Sequence, residues 1–316
     1  MLESRISLRQ LRYFVDVVEQ RGFTAAARVL HVAQPALSRQ IAQLEDDLGE
    51  RLLLRQSDGV LPTDAGLRLY DLARAVLERV NGAREDVRGQ PSEPQGRVSV
   101  ALPTTGGTDL ITELVQVCAG ELPKVALQVI DGVSTQTGHV LESGMVDFGV
   151  VPNADEVPGI EAEPLFHEHL FLVRRAAGSG VQPVDIAFAD AVALPLVLGP
   201  RSMHLRRYLE QQAGTAGLAL TVAHEQRSAN TIAGFVRAGL GATVTNWPSM
   251  REFFPEGHVI AQRIVQPDLR RTIAIGHAAA RPLNRAARAT FDVLRRLLLD
   301  RVHDGRWRGE AIDPAR

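Results

Sequence analysis

Cysteine is nearly missing from this chain. Cys118 stands alone, so no internal disulfide can form, and its neighbours Val117 and Ala119 place it as a small hydrophobe inside a helix. Long apolar runs are missing as well. Nowhere do about 18 consecutive apolar residues occur, and the opening MLESRISLRQL is polar with no apolar stretch behind it. Neither a membrane span nor a secretion signal is expected, and the expected compartment is the cytoplasm. A general excess of positive charge is also lacking: the formal net charge is −2, and Lys124 is the single lysine. That excludes a wholly basic nucleic-acid coat, so any DNA contact must come from a local patch. What the chain does have is 316 residues, 45% hydrophobic and 23% charged, the balance of a core-forming protein with two or three packed units.

A basic patch exists at the N-terminus. Residues 1–44 carry six arginines (Arg5, Arg9, Arg12, Arg21, Arg28 and Arg39) against Glu3, Asp16 and Glu19, and acids resume at Glu45, Asp46 and Asp47. Apolar Leu8, Leu11, Val15 and Val18 share one face of a first helix, which Gly22 ends. Thr24 is placed to cap a short alanine-rich helix, Ala25 to Leu30. Gln34-Pro35 opens a third, with Leu37, Ile41, Leu44 and Leu48 as its expected buried stripe and Gly49 as its stop. The opposite face holds Pro35, Arg39, Ala42 and Gln43, flanked by Ser38 and with Gln34 at the N-terminus. Arginine and glutamine suit guanine and adenine edges, and the terminal acids would turn that end of the helix away from phosphate. Periodicity alone weighs this reading face equally against an ordinary solvated face.

The stretch from Leu8 to Gly66 resembles, over its whole length, the DNA-binding domain of LysR-type transcription regulators. Ala33-Gln34-Pro35-Ala36-Leu37-Ser38-Arg39-Gln40-Ile41 is close to the family's recognition-helix motif, and Leu61-Pro62-Thr63-Asp64-Ala65-Gly66 to its wing-to-linker junction. Within the family, HVAQPALS and LPTDAG are most similar to the nitrogen assimilation control type. The resemblance implies a winged helix-turn-helix over 1–66, with Thr24, Gln34, Pro35, Ser38 and Arg39 at the DNA and Arg55 in the wing. One departure is Asp58 in Arg55-Gln56-Ser57-Asp58-Gly59, where family wings often carry a second basic residue. A weaker wing contact would flatten the salt dependence of binding.

Beyond Thr63, a plausible cap, Leu69, Ala73, Val76, Val80, Ala83 and Val87 repeat at steps of 4, 3, 4, 3 and 4 residues, a heptad seam. A linker helix over 63–88 is expected, about 38 Å long. Leu69, Ala73, Val76, Val80 and Val87 are its candidate dimer contacts. Residues 89–96 contain no apolar side chain and two prolines, which marks a hinge.

From residue 97 to 302, short apolar runs alternate with helical patterns, first through Val98–Leu102, Leu110–Cys118, Val125–Ile130 and Val146–Val151. A second set runs through Leu170–Val173, Leu194–Leu198, Leu205–Gln212, Leu218–Val222, Ile232–Ala238 and Ala242–Thr245. This alternation predicts parallel sheets covered by helices in two α/β lobes. Lobe I is expected over about 97–167 and 266–302, lobe II over about 168–265, and 303–316 as a flexible tail with little to bury. The whole chain thus reads as α + α/β. Three turns at strand ends, Leu102–Gly107, Asp131–Thr135 and Gly199–Ser202, bring hydroxyls and free N–H groups to helix starts, and Arg201 adds positive charge. A small anion such as a carboxylate would suit them. Ordinary helix capping explains each turn, taken singly, better.

Residues 97–300 are similar to the effector domain of LysR-type regulators, a two-lobed fold like that of periplasmic binding proteins, through Val146–Val151 and Val236–Ala242. The resemblance implies that Thr104, Thr105, Ser134, Thr135 and Ser202 approach an effector, with Arg201 beside them, although some members act without one. It implies double-stranded DNA, further copies of the chain, a small-molecule effector and RNA polymerase as partners. His167-Glu168-His169 is expected at the surface rather than on a metal, since no matching ligand pair is nearby. No dinucleotide, Walker, GxSxG or HExxH pattern is present. No cofactor and no catalysis are expected. The rival reading is a cytosolic two-lobed ligand-binding protein or enzyme.

Overall fold

The computed structural model describes residues 6–56, 59–88, 93–103, 106–131, 137–142, 144–176, 184–254 and 259–312; for 55, 56, 71, 75, 78, 79, 81–88 and 137–139 it describes the backbone alone. Two compact units divide the chain, Met1–Ser92 and Glu93–Arg316.

The first unit opens with helix α1 (Leu8–Glu19), capped reciprocally: the Gln10 N–H donates to Ser7 Oγ at 3.2 Å and the Ser7 N–H to Gln10 Oε1 at 2.8 Å. Helix α2 (Phe23–Val29) is capped by Gly22, so Thr24 lies inside the first turn with an exposed side chain rather than at the cap. Burial of Phe23 draws the helix start one residue earlier than the alanine run suggests. Helix α3 (Gln34–Leu48) buries Leu37, Ile41 and Leu44 and ends at Gly49, whose φ of 70° favours glycine. Leu48, expected in the stripe, is exposed because the core ends a turn earlier.

Strands β1 (Leu53–Gln56) and β2 (Gly59–Pro62) pair antiparallel as the wing, Leu53 opposite Pro62. Glu45, half-buried at the end of α3, accepts the Leu52 and Leu53 N–H groups at 2.8 and 3.1 Å. It therefore anchors the wing's first strand. Helix α4 (Asp64–Arg88) follows, with Thr63 Oγ1 accepting the Gly66 N–H at 2.9 Å as the expected cap. Leu69 and Ala73 are corrected from the dimer seam: Ala73 is 1% exposed and packs with Leu69 against Leu11 and Val15 of α1. The small alanine side chain lets α1 approach. Leu72 and Val76 are exposed on α4.

The second unit begins with strand β3 (Gly96–Leu102), helix α5 (Thr108–Glu121), strand β4 (Val125–Asp131), helix α6 (Thr137–Glu142) and strand β5 (Phe148–Pro152). Both β4 and β5 run parallel to β3. A 3-10 turn, Ala154–Glu156, then leads to a strand longer than any expected, β6 (Ile160–Arg175), of 16 residues. Next come β7 (Asp185–Ala187), α7 (Phe188–Ala193), β8 (Leu196–Leu198), α8 (His204–Thr215), β9 (Val222–Glu225), α9 (Ala229–Ala238), β10 (Thr243–Asn246) and α10 (Trp247–Phe253). The chain closes with β11 (Val259–Val265), β12 (Arg270–Ala278), α11 (Arg285–His303) and β13 (Gly309–Ala311). The strand expected at 218–222 begins only at Val222, and Leu218 and Leu220 instead form an apolar pad on the core.

The sheets are mixed rather than parallel. Strand β12 lies antiparallel between β5 and the first half of β6, whereas β10 and β11 lie antiparallel on its second half. Each half of β6 thus feeds a separate core. One core gathers Val98, Leu110, Phe148, Phe291, Leu294 and Leu298. The other gathers Leu170, Phe188, Leu196, Leu209, Val244 and Ile264. These define a first and a second lobe.

The chain end corrects the expected flexible tail through residue 312. Trp307 is 1% exposed inside the first core, and β13 pairs with β6, Glu310 opposite His167. An indole this large has a strong drive to burial even in a polar segment. The surface reading of His167-Glu168-His169 is also corrected, because Glu168 is 0% exposed. Strand β6 is covered on both sides there.

In the first unit, a Cβ at Gly66 would stand 2.1 Å from the Leu52 carbonyl oxygen. Gly66→Val is expected to lower that unit's stability by about 1–3 kcal/mol, measured as a drop in its urea unfolding midpoint.

Candidate nucleic-acid interface and effector cleft

In the first unit, the outward face of α3 carries Gln34, Pro35, Arg39, Ala42 and Gln43, all exposed, with Ser38 half-buried. Burial of Leu37, Ile41 and Leu44 fixes which way this face turns. Gln43 is held along the helix by donating to Asp47 at 3.1 Å, which leaves Arg39 as the long cation at its centre. Proline sits in the first turn and no acid does. Thr24 is exposed on α2. Arg55 occupies β1 opposite Val60, its side chain outside the described residues, as are Ser57 and Asp58.

In the second unit, Thr104, Thr105, Ser134 and Thr135 also fall outside the described residues. Arg201 is exposed and bonded at 3.0 Å to Glu210, a carboxylate it shares with Arg206, and Ser202 offers its backbone carbonyl to Arg207 at 2.7 Å. Helix α8 starts two residues beyond Ser202, capped by Met203. Arg206, 7% exposed, also binds Glu210 and the Gly199 carbonyl.

A polar cluster that the sequence pattern does not mark gathers the middle of β6, the start of β12, the ends of β5 and β10 and the C-terminal segment. Glu168 accepts from Arg271 Nε at 2.7 Å, Asn246 Nδ2 at 2.9 Å and Trp307 Nε1 at 2.9 Å. Asn153, at the end of β5 with φ of 49°, accepts the Thr272 N–H at 3.0 Å and donates to Glu156 at 3.1 Å. His204, first residue of α8, faces Glu156 at 3.7 Å. Burial, with Arg271 and Arg207, nevertheless pushes its imidazole down to about 4, so the ring is neutral near pH 7. The available signals were Asn246 at a strand end and Arg271 within an apolar strand. Across the lobes, Glu252 of α10 accepts the N–H of Thr108 at the start of α5 at 3.2 Å. Among the described residues, no group of His, Cys, Asp and Glu could hold a metal.

Comparison with known proteins joins the two units. Residues 8–67 match the family described as bacterial regulatory helix-turn-helix protein, lysR family, and residues 91–299 match the LysR substrate binding domain. This chain belongs to the LysR family of transcription regulators. It is a DNA-binding regulator with an effector-binding domain, not an enzyme. The nitrogen assimilation regulatory protein nac of Klebsiella aerogenes is 33% identical over 92% of this chain and 94% of its own. The Escherichia coli K12 dual regulator OxyR is 29% identical over 88% of this chain and 91% of its own. Among solved structures, a Corynebacterium glutamicum OxyR mutant shares the fold at a TM-score of 0.67 and 22% identity, covering 95% of each chain. The full-length LysR regulator CbnR, solved with its target DNA, aligns at 25% identity and a TM-score of 0.52 over 92% of this chain and 99% of its own. Among the described residues, no helix is long and apolar enough to cross a membrane.

Because His204 is held neutral, its contribution to stability is complete above about 6.5, the unfolded value, and declines as pH falls toward about 4. Over that window, stability should fall by up to about 1.4 kcal/mol per pH unit more steeply than in His204→Gln. Urea midpoints measured across the window check the difference.

Proposed function

We propose that α3 enters the major groove, with Gln34, Pro35, Ser38 and Arg39 at the bases or phosphates, Thr24 beside the backbone and Arg55 reaching from the wing. The observation that carries this reading is the exposed Gln34–Arg39 face, opposite three fully buried side chains of the same helix. Within this reading, 1–66 is the reading head, 63–88 the linker helix, 89–96 a hinge and 97–302 the effector domain. Two copies pair through linker helices. Since Leu69 and Ala73 serve α1, the pairing face is assigned to exposed Leu72 and Val76, continuing through Val80 and Val87. Dimers associate further into tetramers, act from the cytoplasm and alter the access of RNA polymerase to the promoter.

A small effector binds between the lobes at Thr104, Thr105, Ser134, Thr135 and Ser202. Arg201, paired with Glu210, is a weaker candidate than His204 and its surrounding arginines. The arginines of this region, Arg201, Arg206 and Arg207, favour an anion. A thiol-based peroxide response has no support here, because the sole cysteine, Cys118, is buried and its thiol is pushed up to about 11 by burial and by Glu121.

Footprinting and a salt titration on the chain's own upstream DNA test the reading. Salt-sensitive protection of two spaced half-sites is expected, and Arg39→Ala should weaken specific binding by about 1–3 kcal/mol. Unchanged affinity of that variant would remove Arg39 from the bases. The double variant Leu72→Asp, Val76→Asp should sediment as a smaller species than the parent protein; identical sedimentation would refute the linker face.

A further inference from the structure

The geometry points to the C-terminal segment 304–312 as a strap across the crossing of the two lobes, setting the angle between them. Strand β6 serves the first lobe up to about His169 and the second from Leu170 onward, so any change in the angle between the lobes must bend the chain where it changes partners. The C-terminal segment lies on that place. Strand β13 pairs with Phe166, His167 and Glu168, the Ile312 N–H donates to the Leu165 carbonyl at 2.9 Å, and the His169 N–H donates to the Arg308 carbonyl at 3.1 Å.

Just before β13 the chain bends, and two adjacent residues there hold different lobes. Trp307 inserts into the first core, edge-on to Phe166 with ring centroids 5.3 Å apart. Arg308 stacks its guanidinium 3.4 Å above the ring of Trp247, which begins α10 in the second lobe, and 5.8 Å from Phe171. Two ion pairs add to the hold on the first lobe, Arg306 to Glu113 of α5 at 3.0 Å and Glu310 to Arg270 of β12 at 2.7 Å, so the grip on the second lobe rests on Arg308. The fit is close, because a Cβ at Gly309 would stand 2.5 Å from the His167 carbonyl oxygen. A change in the angle between the lobes would have to slide Arg308 off Trp247 or draw Trp307 from its core. The strap resists both, and it does so whichever ligand occupies the cleft.

The test is the distribution of distances between the lobes in the full-length protein. Spin labels at Gln116 on α5 and Gln211 on α8, both exposed, are placed in a Cys118→Ala background and read by pulsed dipolar spectroscopy. Arg308→Gln, which leaves the buried Trp307 in place, and Gly309→Val, which lifts the strap, are each expected to shift or broaden the distribution by about 2 Å or more. Circular dichroism is expected to show both variants folded. Distributions that superimpose on the parent for both variants overturn the strap, including the case in which only the melting midpoint falls, since that is the mark of a segment that merely adds stability.

Discussion

The second unit depends on one buried carboxylate. Glu168 receives hydrogen bonds from Arg271, Asn246 and Trp307, which belong to β12, to the junction of β10 and α10, and to the C-terminal segment. Removing a carboxylate and a guanidinium from water is costly, so the pair is better understood as a specificity device than as a source of net stability. A slip of β6 by one residue against β12 would turn Glu168 to the other face and leave Arg271 without it. Only one register satisfies all three donors. Asn153 and Thr272 lie beside this cluster, Asn153 accepting the Thr272 N–H at 3.0 Å.

In the first unit the controlling constraint is the use made of α4. One face of this helix is consumed within the chain, where Ala73 admits α1 against Leu11 and Val15. What remains outward is a narrow apolar line. The wing is tied to the same region through Glu45 on the β1 amides and through Gly66, where a side chain would collide with Leu52. Recognition helix, wing and linker therefore form a single braced element rather than three parts joined by loops.

Much of this was legible in residue order. Helical periodicity located α1, α3 and α4 within a residue or two, since each carries an apolar stripe and a recognisable cap or stop, and the Ala33–Ile41 segment marked the helix-turn-helix family. The same reasoning failed where a residue's role depends on partners distant in sequence. Glu168 lies in a stretch of alternating polar residues, and nothing local shows that Arg271, 103 positions later, and Trp307, 139 positions later, close over it. Local pattern likewise assigned Ala73 to a seam, since a heptad does not reveal which of two apolar partners claims it. That Arg201 shares Glu210 with Arg206 was equally hidden, since Glu210 lies a loop and more than a helical turn beyond Arg201.

The late arrival of α11 and Trp307 in the first core bears on how the protein is made. Everything that braces the reading helix is contained in the first 88 residues, so that unit can assemble early on the ribosome. The first lobe cannot: Phe291, Leu294, Leu298 and Trp307 fill a core whose other side, Val98 to Cys118, is synthesised almost two hundred residues before them. During that interval the early strands wait with their apolar faces uncovered. The order of synthesis therefore completes the DNA-binding unit before the first lobe of the effector domain, and a chain cut short before α11 would carry that unit beside a lobe without half of its core.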